Sequence, residues 1–333
     1  MKKAGRALVI GIDDYADSPL SGCVNDALAV GRLLETHANG DPNFSVVGLT
    51  SDSADVSTER MFEAVTQLFK GDADTVVLYF AGHGLINLET NAGFLVSQNA
   101  AKGAWGMALG DILDMANKAY PHVKSTVIIL DSCHSGFAGE VPQLGSRGQV
   151  SVIGTGVTIL TACHREGHAD EDSQHGLFTG LLLEGLTGAA ADVRGYVSPA
   201  ALYSLIDQTL GEWEQRPIYK ANVQTFVTLR QVPAKIPPDV LRRLPQYFPT
   251  ANYIFPLDPS YEPDRENIPE HLRNVPVDPE HAATFKELQM CNRQGLVAPI
   301  DAEHMYYAAI KSKGCKLTAL GAHYRKLAIL KRI

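Results

Sequence analysis

Six short stretches of the chain are predominantly apolar and rich in β-branched residues, and each has about the length of a strand. They are Ala7–Ile12, Phe44–Thr50, Thr75–Phe80, Thr126–Leu130, Val157–Thr161 and Gln224–Leu229. Runs of this composition predict strands of a sheet that is buried on both faces, as parallel sheets are.

The segments between these runs carry apolar residues at helical spacing. They are Cys23–His37, Thr58–Phe69, Gly110–Ala119, Leu177–Leu186 and Pro199–Trp213. In the second of them, Met61, Val65 and Leu68 recur on one face, and Ser57 precedes the segment as a helix cap. Alternating strands and helices predict right-handed βαβ units. We therefore expect an α/β sandwich with a mostly parallel six-stranded sheet and helices on both faces.

The pattern changes after Gln231. Between residues 232 and 279 the chain has eleven prolines, a density that excludes regular helices and central strands from most of the segment. Disordered linkers are usually poor in aromatic residues, but this segment has several. They are Tyr247, Phe248, Tyr253, Phe255 and Tyr261. We therefore expect an extended arm that packs on a folded surface.

Helical spacing returns from Glu280 onward. Ala282–Asn292, Ala302–Lys311 and Ala319–Leu330 are candidate helices, each too short to be stable without partners. This region is expected to form a small, mainly helical domain, and a winged helix is one arrangement of that size. The prediction is thus a large α/β domain over residues 1–231, an arm over 232–279 and a helical domain over 280–333.

Composition and charge narrow the range of functions. Of the 333 residues, 45% are hydrophobic and 20% are charged, and the net charge of −8 argues against a general affinity for nucleic acid. No apolar run approaches the roughly 18 residues that span a bilayer. The N-terminus leads into the first predicted strand without the features of a signal peptide. We therefore expect a cytoplasmic protein without a membrane partner.

The five cysteines are widely spaced and odd in number, which does not suggest a disulfide framework. A reducing cytoplasm fits this pattern best, and there a free thiol stays available for catalysis.

Two residues with complementary chemistry follow two of the predicted strands. His83 comes just after Thr75–Phe80, and Cys133 comes just after Thr126–Leu130. Catalytic groups in parallel sheets gather beyond the carboxyl ends of the strands, so a general base and a thiol are expected side by side, as in a cysteine hydrolase. The alternative is a buried structural cysteine and a hydrogen-bonded loop histidine. Two matched motifs at strand ends favour catalysis.

Glycines accompany both positions. Gly82 and Gly84 flank His83 and allow a sharp turn, and Ser135 and Gly136 do the same after Cys133. A turn of this kind directs backbone N–H groups toward a developing oxyanion, which is usually the largest single contribution to catalysis.

Five motifs follow one another in a characteristic order. They are ALVIGIDDY at Ala7–Tyr15, LSGCVNDA at Leu20–Ala27, YFAGHG at Tyr79–Gly84, DSCHSG at Asp131–Gly136, and LTAC at Leu160–Cys163 followed by GLFT at Gly176–Thr179. Together they resemble the caspase–metacaspase clan of cysteine peptidases, and specifically its bacterial metacaspase-like branch. The resemblance covers residues 7–229. The 50-residue gap between His83 and Cys133 also agrees with the spacing in caspases.

The resemblance implies a caspase-like sandwich and a Cys–His dyad. Cys133 would be the nucleophile and His83 the base, and the backbone N–H groups of Gly84 and Cys133 would bind the oxyanion. The thiolate is the reactive form of cysteine, and a nearby imidazole either accepts its proton or stabilises its charge.

Acidic residues near these motifs suggest which peptide bond is cut. By the resemblance, Asp26 and Asp131, together with Cys23, line the primary specificity pocket, which would then accept arginine or lysine. A carboxylate pair binds a guanidinium through charge-assisted, often bidentate, hydrogen bonds. The alternative is a charge at a helix start for Asp26 and a turn residue for Asp131. Many metacaspases have serine where this chain has Ala81, so the preference between arginine and lysine stays open.

The sequence predicts no required cofactor. Some metacaspases use an aspartate cluster for calcium, but Leu95–Asn99 occupies the region where one such acid often falls. Glu140 with Asp111 or Asp114 could supply oxygen ligands, so calcium activation stays an option. A second group of possible ligands matches no zinc signature and gives only weak support for a metal site. It comprises Cys163, His164, His168 and His175.

Arg147 lies in a predicted loop between Gly136 and Val150 and is flanked by small residues. If the peptidase cuts after arginine, Arg147 is a candidate self-cleavage site. An ordinary surface arginine explains the position equally well.

The expected activity is that of an arginine- or lysine-directed cysteine endopeptidase whose partners are protein substrates. By resemblance to bacterial caspase-like effectors, it would act in antiviral defence or programmed cell death. Residues 232–333 would sense an adaptor protein or a nucleotide-like signal. Besides the aromatic residues of the arm, this ligand could contact Tyr306, Tyr307, Arg325 and Lys326. The alternatives are a catalytically silent caspase-like adaptor and a DNA-binding winged helix, which the acidic net charge disfavours.

Overall fold

The computed structural model of the chain describes residues 5–87, 89–90, 92–132, 140–141, 150–151, 153–162, 175–212, 216–264 and 268–333. The chain divides into two compact units, Met1–Pro233 and Ala234–Ile333. No helix in these residues is long and apolar enough to cross a membrane.

The first unit alternates strands and helices along most of its length. Its strands are β1 (Gly5–Gly11), β2 (Phe44–Thr50), β3 (Ala73–Ala81), β4 (Gly84–Asn87), β5 (Ala92–Ala101), β6 (Ala104–Ala108), β7 (Val123–Asp131), β8 (Glu140–Val141), β9 (Val150–Ser151), β10 (Val157–Thr161), β11 (Tyr196–Val197), β12 (Ile218–Asn222) and β13 (Arg230–Gln231). Its helices are α1 (Cys23–Glu35), α2 (Thr58–Phe69), α3 (Leu109–Ala119), α4 (Leu177–Glu184) and α5 (Pro199–Thr209).

The central sheet has six strands in the order β12-β10-β7-β3-β1-β2. All neighbouring pairs are parallel except β10 and β12, which run antiparallel. The predicted α/β sandwich with a mostly parallel six-stranded sheet is therefore confirmed. Gly11 pairs with Ala81, and Ala81 pairs with Asp131. This register brings the carboxyl ends of β1, β3 and β7 level, so the segments that follow them share one edge of the sheet.

The alternation of side chains along the strands gives the sheet an apolar core on each face. Val77 and Tyr79 of β3 pack into the first core, which includes α1, α4 and α5. Leu78 and Phe80 pack into the second core, which includes α2 and α3. Because both faces of the central strands are covered, each of these strands contains an unbroken apolar run, such as Val76–Ala81 in β3.

The prediction of a strand at Gln224–Leu229 is wrong. The sixth strand is β12, Ile218–Asn222, and residues 224–229 have no strand conformation. β12 is an edge strand with half-buried and exposed residues, so it lacks the apolar run that marks the central strands. Val227 and Leu229 are buried in the first core without belonging to a strand, which explains why the segment resembles one.

A second sheet of three antiparallel strands, β4-β5-β6, follows β3 directly and was not predicted. Its strands are mostly half-buried and lack a continuous apolar run.

The second unit combines helices with a small sheet. Its elements are α6 (Pro238–Tyr247), β14 (Ile254–Pro256), α7 (Pro279–Arg293), β15 (Val297–Ile300), α8 (Met305–Ile310), β16 (Gly314–Leu317) and α9 (Ala319–Ile329). The three strands form an antiparallel sheet in the order β14-β16-β15. The three helices predicted after residue 280 are confirmed as α7, α8 and α9, whereas β15 and β16 were not predicted.

The proline-rich segment contributes α6 and β14 to this unit. Pro238 lies in the first turn of α6, where proline disrupts no helical hydrogen bond. The aromatic residues of the segment pack on one another: the Phe255 ring lies 6.1 Å from Phe248 and 5.9 Å from Tyr261, centroid to centroid. Tyr261 also contacts Phe285 of α7.

Candidate active site

His83 follows β3 and is held by a backbone that only glycine permits at residue 82. A Cβ atom at Gly82 would lie 2.5 Å from the Tyr15 hydroxyl oxygen, closer than any side chain tolerates. The Gly82 N–H donates to the Asp131 carbonyl at 3.3 Å and so ties the end of β3 to the end of β7. This close approach fixes the point at which His83 leaves the sheet.

Tyr15 holds the His83 backbone in place through hydrogen bonds and contacts the His83 ring. The His83 N–H donates to the Tyr15 hydroxyl at 3.0 Å, the Tyr15 O–H donates to the Val96 carbonyl at 3.2 Å, and the two rings lie 4.6 Å apart. Burial raises the pKa of Tyr15 well above its ordinary value, so the phenol keeps the proton that it donates. The Val96 N–H completes the support by donating to the His83 carbonyl at 2.9 Å.

The imidazole of His83 is oriented by a backbone carbonyl. Its Nε2 lies 2.7 Å from the Ser18 carbonyl oxygen. A carbonyl can only accept a hydrogen bond, so we assign the proton of the neutral ring to Nε2. Nδ1 then carries the free lone pair and is the nitrogen available as a base.

A group of carboxylates surrounds the start of α1. Asp13 accepts from the backbone N–H groups of Cys23 at 2.9 Å and Val24 at 3.2 Å. These bonds satisfy two N–H groups at the helix N-terminus, where a negative charge is favourable. Burial, with Asp13, Asp131 and Asp26 nearby, raises the pKa of the Cys23 thiol far above its usual range. Cys23 therefore stays a neutral thiol.

Asp26 is buried in this group, with a side chain 6% exposed. Its Oδ1 lies 2.6 Å from the Nδ1 of His175. Burial raises the pKa of Asp26 to about 6; the hydrogen bond from His175 opposes this rise, and the Asp131 carboxylate adds to it. Asp26 thus loses its charge in mildly acidic solution.

Asp131, the last residue of β7, ends a chain of hydrogen bonds. The Thr179 hydroxyl donates to its Oδ2 at 2.6 Å, and the Tyr79 hydroxyl lies 2.6 Å from the Thr179 oxygen. Because Thr179 gives its one proton to Asp131, Tyr79 donates to Thr179. Burial raises the pKa of Tyr79 well above its ordinary value, so it keeps this proton.

The structure brings the two predicted pocket carboxylates together. A Cβ atom built on Gly176 would lie 3.6 Å from Asp26 Oδ2 and 3.7 Å from Asp131 Oδ2, so both carboxylates approach one point. We call this acidic cluster, with His175 hydrogen-bonded to Asp26, the Asp26–Asp131 pocket after its predicted role. It lies on the sheet face of α1 and α4, and Cys23 lies beside both aspartates, whose charges act on its thiol.

Several predicted positions lie outside the described residues. These are Cys133, Arg147, Cys163, His164 and His168, together with the side chain of Glu140. Asp111 and Asp114 lie on α3. In the part of the chain that is described, no three or more His, Cys, Asp or Glu side chains gather so that they could hold a metal ion. Gly84 begins β4 and pairs with Leu95.

In the second unit, the residues expected to bind a signal differ in their surroundings. Tyr307 is 40% exposed, and the Lys311 ammonium lies 5.2 Å from its ring centroid. Tyr306 contacts the same ring. The Arg325 guanidinium, in contrast, donates to the carbonyls of Phe248 and Pro249, so it already stabilises the fold of the unit.

Some residues of the site were not predicted from the sequence. Tyr15 ends the ALVIGIDDY motif, but nothing in the sequence pattern indicates that it contacts His83. Ser18 acts through its backbone carbonyl, which leaves no signature in the sequence. The sequence offered His175 only as a possible zinc ligand, and only the fold shows that it pairs with Asp26, 149 residues away.

Comparisons with known proteins identify the relatives of this chain. The model of the family described as Caspase domain matches residues 4–227. Metacaspase-1 of Yarrowia lipolytica is 28% identical over 158 residues, which cover 42% of this chain and 33% of that protein. The alignment thus spans about a third of the length of this curated relative.

Two solved structures are also similar. A Geobacter sulfurreducens protein has a TM-score of 0.47 and 15% identity, over 67% of this chain and 94% of that one. The structure titled pro-sf-caspase-1 has a TM-score of 0.44 and 12% identity, over 69% of this chain and 92% of that one.

Proposed function

Since the chain belongs to the caspase-domain family of peptidases, we propose that it is a cysteine endopeptidase that cleaves after arginine or lysine. The observation that carries the proposal is the convergence of Asp26 and Asp131 on one point. His83 follows β3 at the same carboxyl end of the sheet at which β7 ends with Asp131. In the sequence, Cys133 comes two residues after Asp131.

The proposed reaction uses Cys133 and His83 as a dyad. Nδ1 of His83 takes the proton of the Cys133 thiol, and the thiolate attacks the scissile carbonyl carbon. The N–H groups of Gly84 and Cys133 stabilise the oxyanion. The protonated imidazole then gives its proton to the leaving amine, and water hydrolyses the thioester with His83 again as the base. The Ser18 carbonyl accepts from Nε2–H in both the neutral and the protonated ring, so every proton transfer takes place at Nδ1.

The Asp26–Asp131 pocket would bind the side chain before the cleaved bond. A guanidinium or ammonium group between the two carboxylates receives charge-assisted hydrogen bonds. An aspartate side chain would instead meet two like charges in a largely buried site, which is unfavourable. The pocket therefore favours basic residues and rejects acidic ones.

For the biological role, we propose a signal-activated effector in antiviral defence or cell death, and this part of the proposal rests on the resemblance alone. The second unit would receive the signal, and the exposed Tyr307 beside Lys311 supports a ligand with a stacking ring and a negative charge. A catalytically silent adaptor is the alternative function.

The proposal is tested with fluorogenic peptides that end in Arg, Lys or Asp. We expect the intact chain to cleave the first two, with or without calcium, and Cys133→Ala to cleave none. Cleavage after Asp would refute the assignment of the pocket. Arg and Lys peptides that are cut equally fast by Cys133→Ala would refute the dyad.

The pocket should lose affinity for basic residues in acid. Asp26 is charged above its pKa of about 6 and neutral below it. As the pH falls from 7.5 to 5, we expect the KM for an arginine peptide to rise about 10-fold, which corresponds to loss of one charge-assisted hydrogen bond. KM should be measured across this range in the wild type and in Asp26→Asn.

Asp26→Asn should show a high KM that barely changes with pH, since asparagine resembles the protonated acid. Asp74→Asn serves as the matched control. Asp74 lies near the start of β3 and pairs with Lys124 at the amino-terminal ends of the strands, opposite the site. A KM that falls on acidification would contradict the assignment of Asp26.

A further inference from the structure

His83 lines a cavity of about 400 Å³ that is separate from the Asp26–Asp131 pocket. Its walls are mainly apolar and come from the loop after β1 and from the β4-β5-β6 sheet. The lining residues include Tyr15, Leu85, Val96, Ala100 and Trp105. Asp17 and Lys102, of opposite charge, are exposed at its rim. We call this space the Trp105 cavity.

The Trp105 cavity and the Asp26–Asp131 pocket lie on opposite faces of the sheet. Asp131 follows Ile129 at strand spacing, and its partner Thr179 lies in α4, so the acidic pocket belongs to the face of the first core. Tyr15 and Leu95 belong to the second core, and Val96 of β5 lines the cavity. His83 follows β3 at the carboxyl ends of the strands and lines the Trp105 cavity.

The proposed reaction determines on which side of His83 each part of the substrate lies. The residue before the cleaved bond places its basic side chain in the acidic pocket. The leaving amine receives its proton from His83 and so must lie against that imidazole. The residue that carries the amine then continues past His83, away from the acidic pocket, which is where the Trp105 cavity lies.

We infer that the Trp105 cavity binds the first residue after the cleaved bond and selects a large apolar side chain, such as leucine or phenylalanine. This inference rests on the proposed function. The volume of about 400 Å³ leaves glycine or alanine with little contact. Leu85, Val96 and the half-buried Trp105 ring provide apolar surface for a larger group. An acidic side chain would lose its hydration in the cavity and gain no buried cation in exchange, which is unfavourable.

Cleavage of internally quenched peptides tests the inference. All peptides carry Arg before the cleaved bond, and the next residue is Gly, Asp, Leu or Phe. An apolar pocket typically discriminates by about 10- to 200-fold, so we expect kcat/KM for Leu and Phe to exceed that for Gly at least 10-fold. Trp105→Ala should reduce this preference to about 3-fold or less and leave the preference for Arg over Asp before the bond unchanged.

Phe62→Ala is the matched control for Trp105→Ala. Phe62 is an exposed aromatic residue of α2 that lines neither site, so its loss should leave both preferences intact. Equal kcat/KM for Gly, Leu and Phe in the wild type would overturn the inference.

A binding measurement separates this inference from the proposed function. The chain has two tryptophans, Trp105 and Trp213. In the intact chain carrying Cys133→Ala and Trp213→Phe, the fluorescence therefore reports on Trp105 alone. We expect the dipeptide amide Phe-Gly-NH2 to change it saturably and Gly-Gly-NH2 to leave it unchanged.

The outcomes are distinct. A response to Phe-Gly-NH2 in a protein that does not cleave after Arg or Lys would refute the proposed function and support the cavity. Arg-specific cleavage by the wild type, with neither a fluorescence response nor a preference after the cleaved bond, would refute the cavity and leave the proposed function intact.

Discussion

Replacing His83 with alanine is expected to lower kcat/KM for an arginine peptide by about 10²- to 10⁴-fold, the range that a general base contributes. The substitution removes the nitrogen that accepts the Cys133 proton and later donates to the leaving amine. The Ser18 carbonyl then loses the imidazole from which it accepted a hydrogen bond. The loss should fall mainly on kcat, because His83 does not line the Asp26–Asp131 pocket.

His122→Ala is the control for this substitution. His122 lies just before β7, at the opposite edge of the same sheet, and its exposed side chain pairs with Asp72. Exposed ion pairs contribute about 0–1 kcal/mol to stability, so this variant should keep both its fold and its activity. If His83→Ala retained more than a tenth of the wild-type kcat while folded, the assigned base would be wrong.

Replacing Asp131 with asparagine is expected to lower kcat/KM for an arginine peptide by about 10- to 100-fold, the equivalent of a charge-assisted hydrogen bond worth about 1.5–3 kcal/mol. Asparagine has nearly the same shape, and its amide oxygen can still accept from Thr179. The change therefore removes a charge from the pocket and keeps the chain of hydrogen bonds through Tyr79. The measurement is kcat/KM for peptides with arginine and with citrulline, its uncharged analogue.

Asp131→Asn should affect the citrulline peptide by less than about 3-fold, since no charge is recognised there. Asp74→Asn, which removes a carboxylate from the far edge of the sheet, should affect neither peptide. An equal loss for both peptides would mean that Asp131 only positions Cys133 and does not bind the substrate.

The central strands could be predicted because they are buried on both faces. β3 is apolar from Val76 to Ala81, and β7 is apolar from Val127 to Leu130. The ends of these two runs are visible in the sequence, and this placed His83 and Asp131 at strand ends. β12 was misplaced because an edge strand is not required to be apolar. β15 and β16 have four residues each, too few to show a period.

The chemical groups of the site were predictable, and the family resemblance also implied that Asp26 and Asp131 meet, but the hydrogen bonds that hold these groups were not predictable. His83 and Asp26 belong to sequence motifs with recognisable neighbours. The pairing of Asp26 with His175, the bond from Thr179 to Asp131 and the bond from His83 to the Ser18 carbonyl join residues 48 to 149 positions apart. Such contacts follow from strand order and helix packing, which no local pattern contains.

The most direct test of the central claim compares two peptides in the wild-type protein. They differ only in having arginine or citrulline before the cleaved bond, so they have nearly equal shapes and different charges. If Asp26 and Asp131 recognise a cation, kcat/KM for arginine should exceed that for citrulline by about 10²-fold or more, the effect of two charge-assisted hydrogen bonds. Equal values would show that the two carboxylates do not select the substrate, and would contradict the proposed specificity.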